Sequence, residues 1–182
     1  MRTIVVILLI FAALAATQLA MGRSAICPCG QITLWSGNIQ SNQNSQMFAD
    51  PYSLTHIEHG LLLFWALRLL WPRRSLDLRL IAVVVIEALW EGIENSPLVI
   101  DRYRETTISL GYYGDSVLNS AGDVAFCIAG FLLASRIRGR AAAFVVIGLE
   151  SILLVTIRDN LLLNIVMLLW PIAAIRNWQA AA

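Results

Sequence analysis

The chain has 182 residues, of which 58% are apolar and only 14% are charged, and its formal net charge at pH 7 is +1. Soluble domains carry about 25% charged residues, so this composition indicates a membrane protein and argues against a soluble one. The small net charge argues against nucleic acid as a partner, and the lack of lysine excludes Schiff-base and lysine general-base chemistry.

Apolar runs bounded by polar residues predict membrane-spanning helices. The first run, residues 4–21, would be about 27 Å long as a helix, close to the thickness of the hydrocarbon core. Residues 13–15 (Ala-Leu-Ala) could also be a signal-peptidase site, and cleavage there would leave five spans. Because the apolar run continues past that site, a retained helix is favoured.

The last apolar stretch is too long for one crossing. A helix over residues 141–175 would measure about 52 Å, so the central Arg158-Asp159-Asn160 predicts a turn between two spans. We therefore predict an all-α fold, an integral membrane helical bundle in a single domain over residues 1–182. The predicted helices, about six, cover residues 4–21, 56–72, 79–96, 115–134, 141–157 and 160–175.

Two longer polar segments connect these helices. Residues 23–54 lack a helical apolar period and contain Cys27-Pro28-Cys29, which is open to three interpretations: two separate thiols, an oxidised pair, or half of a metal site. Residues 98–114 form a second predicted polar loop. Arginine is concentrated in the short loops 72–79 and 135–140, and the positive-inside rule places these loops and both termini in the cytoplasm. The loop 23–54 is then extracytoplasmic.

The third predicted helix carries an acidic stripe in an otherwise apolar run. Glu87, Glu91 and Glu94 are at i, i+4 and i+7 and therefore share one helix face. One acid facing lipid near the bilayer centre costs roughly 2.5–3.5 kcal/mol on insertion scales. We therefore expect this face to point into the bundle, towards water, cations or hydrogen-bond donors.

Other predicted helices present polar groups at a similar depth. His56 and His59 lie at i and i+3 on the second helix, and the other polar positions are Asp115, Asn119 and Asp123 on the fourth helix, Glu150 on the fifth, and Asn160 and Asn164 on the sixth. The bland interpretation is that Glu94, Asp115 and Asp159 are solvated helix caps and that the asparagines form interhelical hydrogen bonds. The functional interpretation is a single cavity in the outer half of the membrane.

The residue types suggest roles within that cavity. We assign Glu87, Glu91 and Asp123 as candidate catalytic groups, Asp115, Asn119 and Asn164 as substrate- or ion-binding groups, and His56 and His59 as candidate metal ligands. Imidazoles with carboxylates suit zinc, or magnesium or manganese with waters. A metal-dependent enzyme acting on lipid or lipid-linked head groups, a small proton- or cation-coupled transporter and an accessory membrane protein without catalysis all fit this spacing. Membrane lipid is the expected partner.

Several motifs resemble a known family. Cys27-Pro28-Cys29-Gly30, residues 55–60 (Thr-His-Ile-Glu-His-Gly), residues 91–96 (Glu-Gly-Ile-Glu-Asn-Ser) and residues 111–120 are similar to domain of unknown function 2585, an uncharacterised bacterial family. The resemblance covers nearly the whole chain and implies a multi-pass protein of the bacterial inner membrane. A shorter similarity, through Glu87 or Glu91 and then Asp115, Asn119 and Gly122, is to VanZ-like membrane proteins.

Overall fold

The computed structural model describes residues 1–180, and this part of the chain forms eight α-helices and no β-strand. The predicted all-α class is therefore confirmed; residues 181–182 of the predicted domain lie outside the described residues. The helices are α1 (Arg2–Ala20), α2 (Ser53–Leu70), α3 (Leu76–Glu94), α4 (Pro97–Thr106), α5 (Val117–Ala134), α6 (Gly139–Ile157), α7 (Leu161–Leu169) and α8 (Ala173–Ala180).

Three of these helices, α1, α5 and α6, are long and apolar enough to cross a membrane. Large apolar side chains on their outer faces are exposed, such as Leu8 (62%), Phe144 (75%) and Val155 (82%), whereas Glu87 and Glu91 are buried. This inside-out distribution suits a bundle whose surroundings are lipid. α2 and α3 have similar lengths, 18 and 19 residues, and carry the ionisable groups of the predicted site.

Two predicted segments differ in the structure. The predicted sixth helix over residues 160–175 is two helices: α7 ends at Leu169 and α8 begins at Ala173. Pro171 explains the break, since proline has no N–H and disfavours helical geometry at the residue before it. With nine residues α7 is only about 14 Å long, less than one membrane crossing. The predicted polar loop 98–114 contains α4, which starts at Pro97, because proline suits the first helical position.

α2 lies centrally and packs against α3, α5 and α6. Its closest approach is to α5: a Cβ on Gly60 would overlap the backbone of Cys127, and one on Gly130 would overlap the backbone of Ile57. Glycines at these two positions let the helix backbones touch, as small residues do in membrane bundles. Apolar side chains including Leu61, Phe64, Leu67, Val83 and Phe131 fill the core beside this crossing.

Residues 21–52 form turns that fold back over the start of α5. The Ser116 N–H donates to Ser45 O (3.0 Å), and the Gln46 side chain donates to Gly114 O (2.8 Å). Cys27 and Cys29 are joined in a disulfide, so of the three interpretations of this pair the structure has the oxidised one. The hydrogen bonds to Gly114 and Ser116 hold this loop next to the N-terminal end of α5, close to the predicted site.

Candidate functional site

The imidazole of His56 lies at the centre of the site. The histidine pair on α2 and the glutamates on α3 each occupy one helix face because of their i,i+3 and i,i+4 spacing. His56 Nδ1 is 2.5 Å from Glu87 Oε1 and 3.6 Å from Glu91 Oε1, and His56 Nε2 is 3.8 Å from Asp123 Oδ2. One ring on α2 therefore contacts carboxylates from both α3 and α5.

His59 completes a compact ligand set. Its Nδ1 lies 3.0 Å from Glu87 Oε1 and 3.1 Å from Oε2. One potential ligand atom from each of His56, His59 and Glu87 falls within a group no wider than 4.8 Å. Ligands about 2.0–2.2 Å from zinc lie roughly 3–3.5 Å from each other, so the group is compact enough for one ion once the 2.5 Å between His56 Nδ1 and Glu87 Oε1 widens. His56, Glu91 and Glu94 form a second, overlapping group.

The acidic groups of this cluster are deeply buried. Glu87 is 1% exposed, Glu91 0% and Asp123 4%. Glu87 contacts both imidazoles, and Asp123 Oδ1 accepts a hydrogen bond from Ser53 Oγ at 2.9 Å. Neither carboxylate oxygen of Glu91 accepts a hydrogen bond within the described residues. An unpartnered buried carboxylate is costly, so Glu91 is the least satisfied group of the site.

A cavity of about 280 Å³ opens in front of the histidines. Of the predicted site residues, it is lined by His56, His59, Asp115, Asn119, Asp123 and Asn164. Glu87 and Glu91 do not line the cavity and lie behind the imidazoles. Trp90 of α3 and Leu161, Ile165 and Leu168 of α7 give the cavity an apolar wall. The cavity thus combines ionisable and hydrocarbon lining.

Asp115 lies at the polar side, just before α5 begins. Its Oδ2 accepts from Asn95 Nδ2 (2.8 Å), its Oδ1 accepts from the Tyr112 hydroxyl (3.0 Å), and its own N–H donates to Asn95 Oδ1 (2.6 Å). Burial raises the pKa of Asp115 to about 6, although the hydrogen bonds from Asn95 and Tyr112 oppose that shift. Asn95 therefore joins the end of α3 to the start of α5.

The two asparagines predicted to bind substrate or ion each donate a hydrogen bond within the protein. Asn119 Nδ2 donates to Met47 O (2.8 Å) and so holds the loop against α5. Asn164 Nδ2 donates to Asp159 Oδ2 (2.9 Å) at the turn before α7. Both side chains line the cavity, so any ligand they contact would meet amides that are already oriented.

Several lining residues were not among the predicted site residues. Asp50, Tyr52, Tyr103 and Tyr112 all line the cavity, as does the half-buried Glu94 of the predicted acidic stripe. Asp50 accepts from the Ser45 and Tyr52 N–H groups (2.9 and 2.8 Å), and burial raises its pKa. The sequence features that could have pointed to these residues were an Asp-Pro pair just before a helix and tyrosines next to Asp115. Neither feature predicts how the long loop folds against the helices.

The chain has clear relatives. A family model described as "Protein of unknown function (DUF2585)" matches residues 18–181. A UPF0314 protein of Sphingopyxis alaskensis is 52% identical over 169 residues, covering 93% of this chain and 90% of the relative. UPF0314 proteins of Paracoccus denitrificans (48%) and Novosphingobium aromaticivorans (49%) each cover 88% of this chain, and 83% and 84% of their own lengths. No solved structure matches the chain. The chain therefore belongs to the DUF2585 family, a family of proteins of unknown function.

Proposed function

We propose that the protein is a membrane enzyme that holds one divalent metal ion with His56, His59 and Glu87 and acts on the head group of a lipid or lipid-linked substrate. The observation that carries this proposal is the compact His56–His59–Glu87 group, within 4.8 Å, beside a cavity lined by both ionisable and apolar side chains.

The donor set favours a borderline metal. Two imidazoles and one carboxylate are the protein ligands of several catalytic zinc sites, and three protein ligands leave a position for water or substrate. A metal here would act as a Lewis acid and lower the pKa of a bound water. Asp123 lines the cavity, lies 3.8 Å from His56 Nε2 and would serve as the general base, while Glu91 lies 3.6 Å from Nδ1, the nitrogen that also faces Glu87.

The form of the cavity supports an amphiphilic substrate. Leu161, Ile165 and Leu168 of the short helix α7 line the same cavity as the ionisable groups. α7 also exposes Leu162 (61%) and Leu169 (77%) on its outside, which suits a helix whose outer face lies against lipid. A substrate with a polar head and a hydrocarbon tail could place each part against a matching wall.

We further propose that this single domain lies in the bacterial inner membrane, with the N-terminus cytoplasmic and the cavity open to the outer leaflet. Because Gln179 of α8 donates to Arg158 O and Asp159 Oδ1, the end of α8 lies at the outer turn before α7, and we do not retain the expectation that both termini are cytoplasmic. The arginine-rich short loops and the disulfide in the loop 23–54, which suits an oxidising compartment, support this orientation. A cysteine introduced at Ser41 should react with an impermeant thiol reagent in intact cells, and one introduced at Ser75 should react only after permeabilisation. Labelling of both in intact cells would contradict the proposed orientation.

Elemental analysis of the purified protein tests the metal proposal. After dialysis, the wild type should retain about one zinc or manganese ion per chain, and Glu87→Gln and His59→Gln should each retain less than a tenth of that amount. Glu58→Gln is the matched control, because Glu58 is also buried on α2 but does not line the cavity. It should retain the wild-type amount.

Two outcomes would contradict the proposal. A wild type that binds none of these metals in titration would leave the His56–Glu87 contact as a proton-holding pair, as a proton-coupled transporter would need. Equal metal content in the wild type and the Glu87→Gln and His59→Gln variants would place the ion elsewhere. Normal growth and accumulation of a Glu87, Glu91 and Asp123 triple variant would favour an accessory role.

A further inference from the structure

Acidic side chains dominate the ionisable lining of the cavity. Asp50, Glu94, Asp115 and Asp123 line it, and no arginine is among its lining residues within the described chain. The guanidinium of Arg102 reaches the apolar wall, but its Nε donates to the backbone oxygen of Leu168 (2.8 Å). A cavity with acidic lining disfavours an anionic ligand and favours a cationic one, except at a bound metal, which would itself attract anions.

The cavity is also rich in aromatic rings. Trp90, Tyr52, Tyr103 and Tyr112 line it, and the rings of Tyr103 and Tyr112 pack edge to face with centroids 5.3 Å apart. The hydroxyl of Tyr112 donates to Asp115. Because Tyr112 is fixed in this way, its ring is oriented before any ligand enters. Aromatic rings combined with carboxylates are the groups that recognise ammonium ions.

Glu91 provides an independent observation. It is 0% exposed, and neither of its carboxylate oxygens accepts a hydrogen bond within the described residues. Its Oε1 is 3.6 Å from His56 Nδ1. Glu91, Glu94 and His56 each offer an atom within one 4.8 Å group, so Glu91 faces the same region as the lining residue Glu94. A cation near Glu94 would therefore also lie near the unpartnered carboxyl group of Glu91.

We infer that the cavity binds an ammonium group carried on a hydrocarbon chain. The cation would lie among Glu94, Asp115 and the tyrosines, and the hydrocarbon chain of the ligand would lie along α7. This inference rests on the proposed function and gives its substrate class: an amphiphile with an amine or quaternary-amine head group. The ammonium position uses none of the proposed metal ligands His56, His59 and Glu87, so it does not require the metal.

Binding to purified full-length protein in a neutral maltoside detergent tests the inference. Calorimetry should show hexyltrimethylammonium binding at least about tenfold more tightly than hexyl glucoside, and hexyl sulfate binding no more tightly than the glucoside. Tetramethylammonium, which lacks the chain, should bind at least about tenfold more weakly than hexyltrimethylammonium. Equal binding of hexyltrimethylammonium and hexyl glucoside would overturn the inference. Equal binding of hexyltrimethylammonium and tetramethylammonium would also overturn it, because the site would then take free amines without recognising a hydrocarbon chain.

Variants locate the site. Glu94→Gln should weaken hexyltrimethylammonium binding about tenfold, since it removes a charge from a partly desolvated site. Glu105→Gln on α4, an exposed acid outside the cavity, is the matched control and should leave binding unchanged. Equal affinity in the wild type and Glu94→Gln would place the ammonium elsewhere. If Glu94→Gln does not fold, the comparison of probes on the wild type still decides the inference.

The metal-binding variant separates the two proposals. Glu87→Gln should lose the metal and keep selectivity for the ammonium probe. Metal binding without ammonium selectivity would overturn this inference and leave the proposed function standing. Ammonium selectivity in a wild type that binds no metal would overturn the proposed metal site and leave this inference standing.

Discussion

Replacing Gly60 by alanine should open the crossing between α2 and α5 and destabilise the bundle. The added Cβ would overlap the carbonyl oxygen of Cys127 and would also crowd the backbone of Phe131. Both obstacles are backbone atoms of α5, so no side-chain rotation can relieve them and the two helices must separate. The His56–Asp123 contact, 3.8 Å across the same pair of helices, should lengthen as a result.

The magnitude follows from two opposing effects. Overpacking of this kind costs about 2–3 kcal/mol, and replacing a helical glycine by alanine returns about 0.5–1 kcal/mol. The net loss of roughly 1–2.5 kcal/mol should lower the unfolding midpoint by about 2–10 °C for a chain of this length. Tryptophan fluorescence during heating of the detergent-solubilised protein measures this midpoint.

Gly148→Ala is the matched control, because a Cβ on this α6 glycine meets no atom within 4 Å. It should leave the midpoint unchanged or raise it by a few degrees, by about 0.5–1 kcal/mol of helix propensity. Gly130→Ala, which would overlap Ile57, should behave like Gly60→Ala. If Gly60→Ala were as stable as Gly148→Ala, the backbone contact between α2 and α5 would not limit packing and the reasoning would be refuted.

Three other predictions concern single groups. Burial raises the pKa of Asp159 to about 6, so this residue should make stability fall as pH rises from about 4 to 6, by up to about 3 kcal/mol. Asp159→Asn should reduce the slope of the unfolding midpoints and leave the part due to Asp115, whose pKa is also about 6; an unchanged slope would contradict this. Glu58→Gln should raise stability by about 1 kcal/mol in thermal unfolding, because burial and Glu150 both disfavour the ionised form of Glu58; a lower midpoint would contradict this. Cys27→Ser with Cys29→Ser should leave membrane accumulation on immunoblots unchanged, since hydrogen bonds also hold the loop; lost accumulation would make the disulfide a structural requirement.

Much of the fold could be predicted from local pattern. Long apolar runs with few charges predict helices in lipid, and the structure confirms the all-α class and three helices suited to a membrane. The family was also recognisable from short motifs such as Cys27-Pro28-Cys29-Gly30, and the family model confirms it. The proline at position 171 was a local signal as well, and its effect on the last predicted span was underestimated.

The candidate site could be predicted only in part. The free-energy cost of placing an ionised group in hydrocarbon predicts that Glu87, Glu91 and Asp123 face inward. The structure brings these residues together with His56 and His59; their catalytic and metal-binding roles stay predictions. Periodicity gives the face that each side chain occupies. It does not give the rotation of one helix against another, which sets distances such as the 2.5 Å between His56 and Glu87.

The all-α class, the burial of the acidic helix faces and the family could be read from the chain, because they depend on local composition and on the free energy of placing charge in lipid. The return of residues 44–52 to line the cavity and the bridge from Asn95 to Asp115 are visible only in the folded protein. The same is true of the apolar lining that α7 supplies. These features depend on contacts between residues far apart in the chain, and loop closure and helix packing select them together.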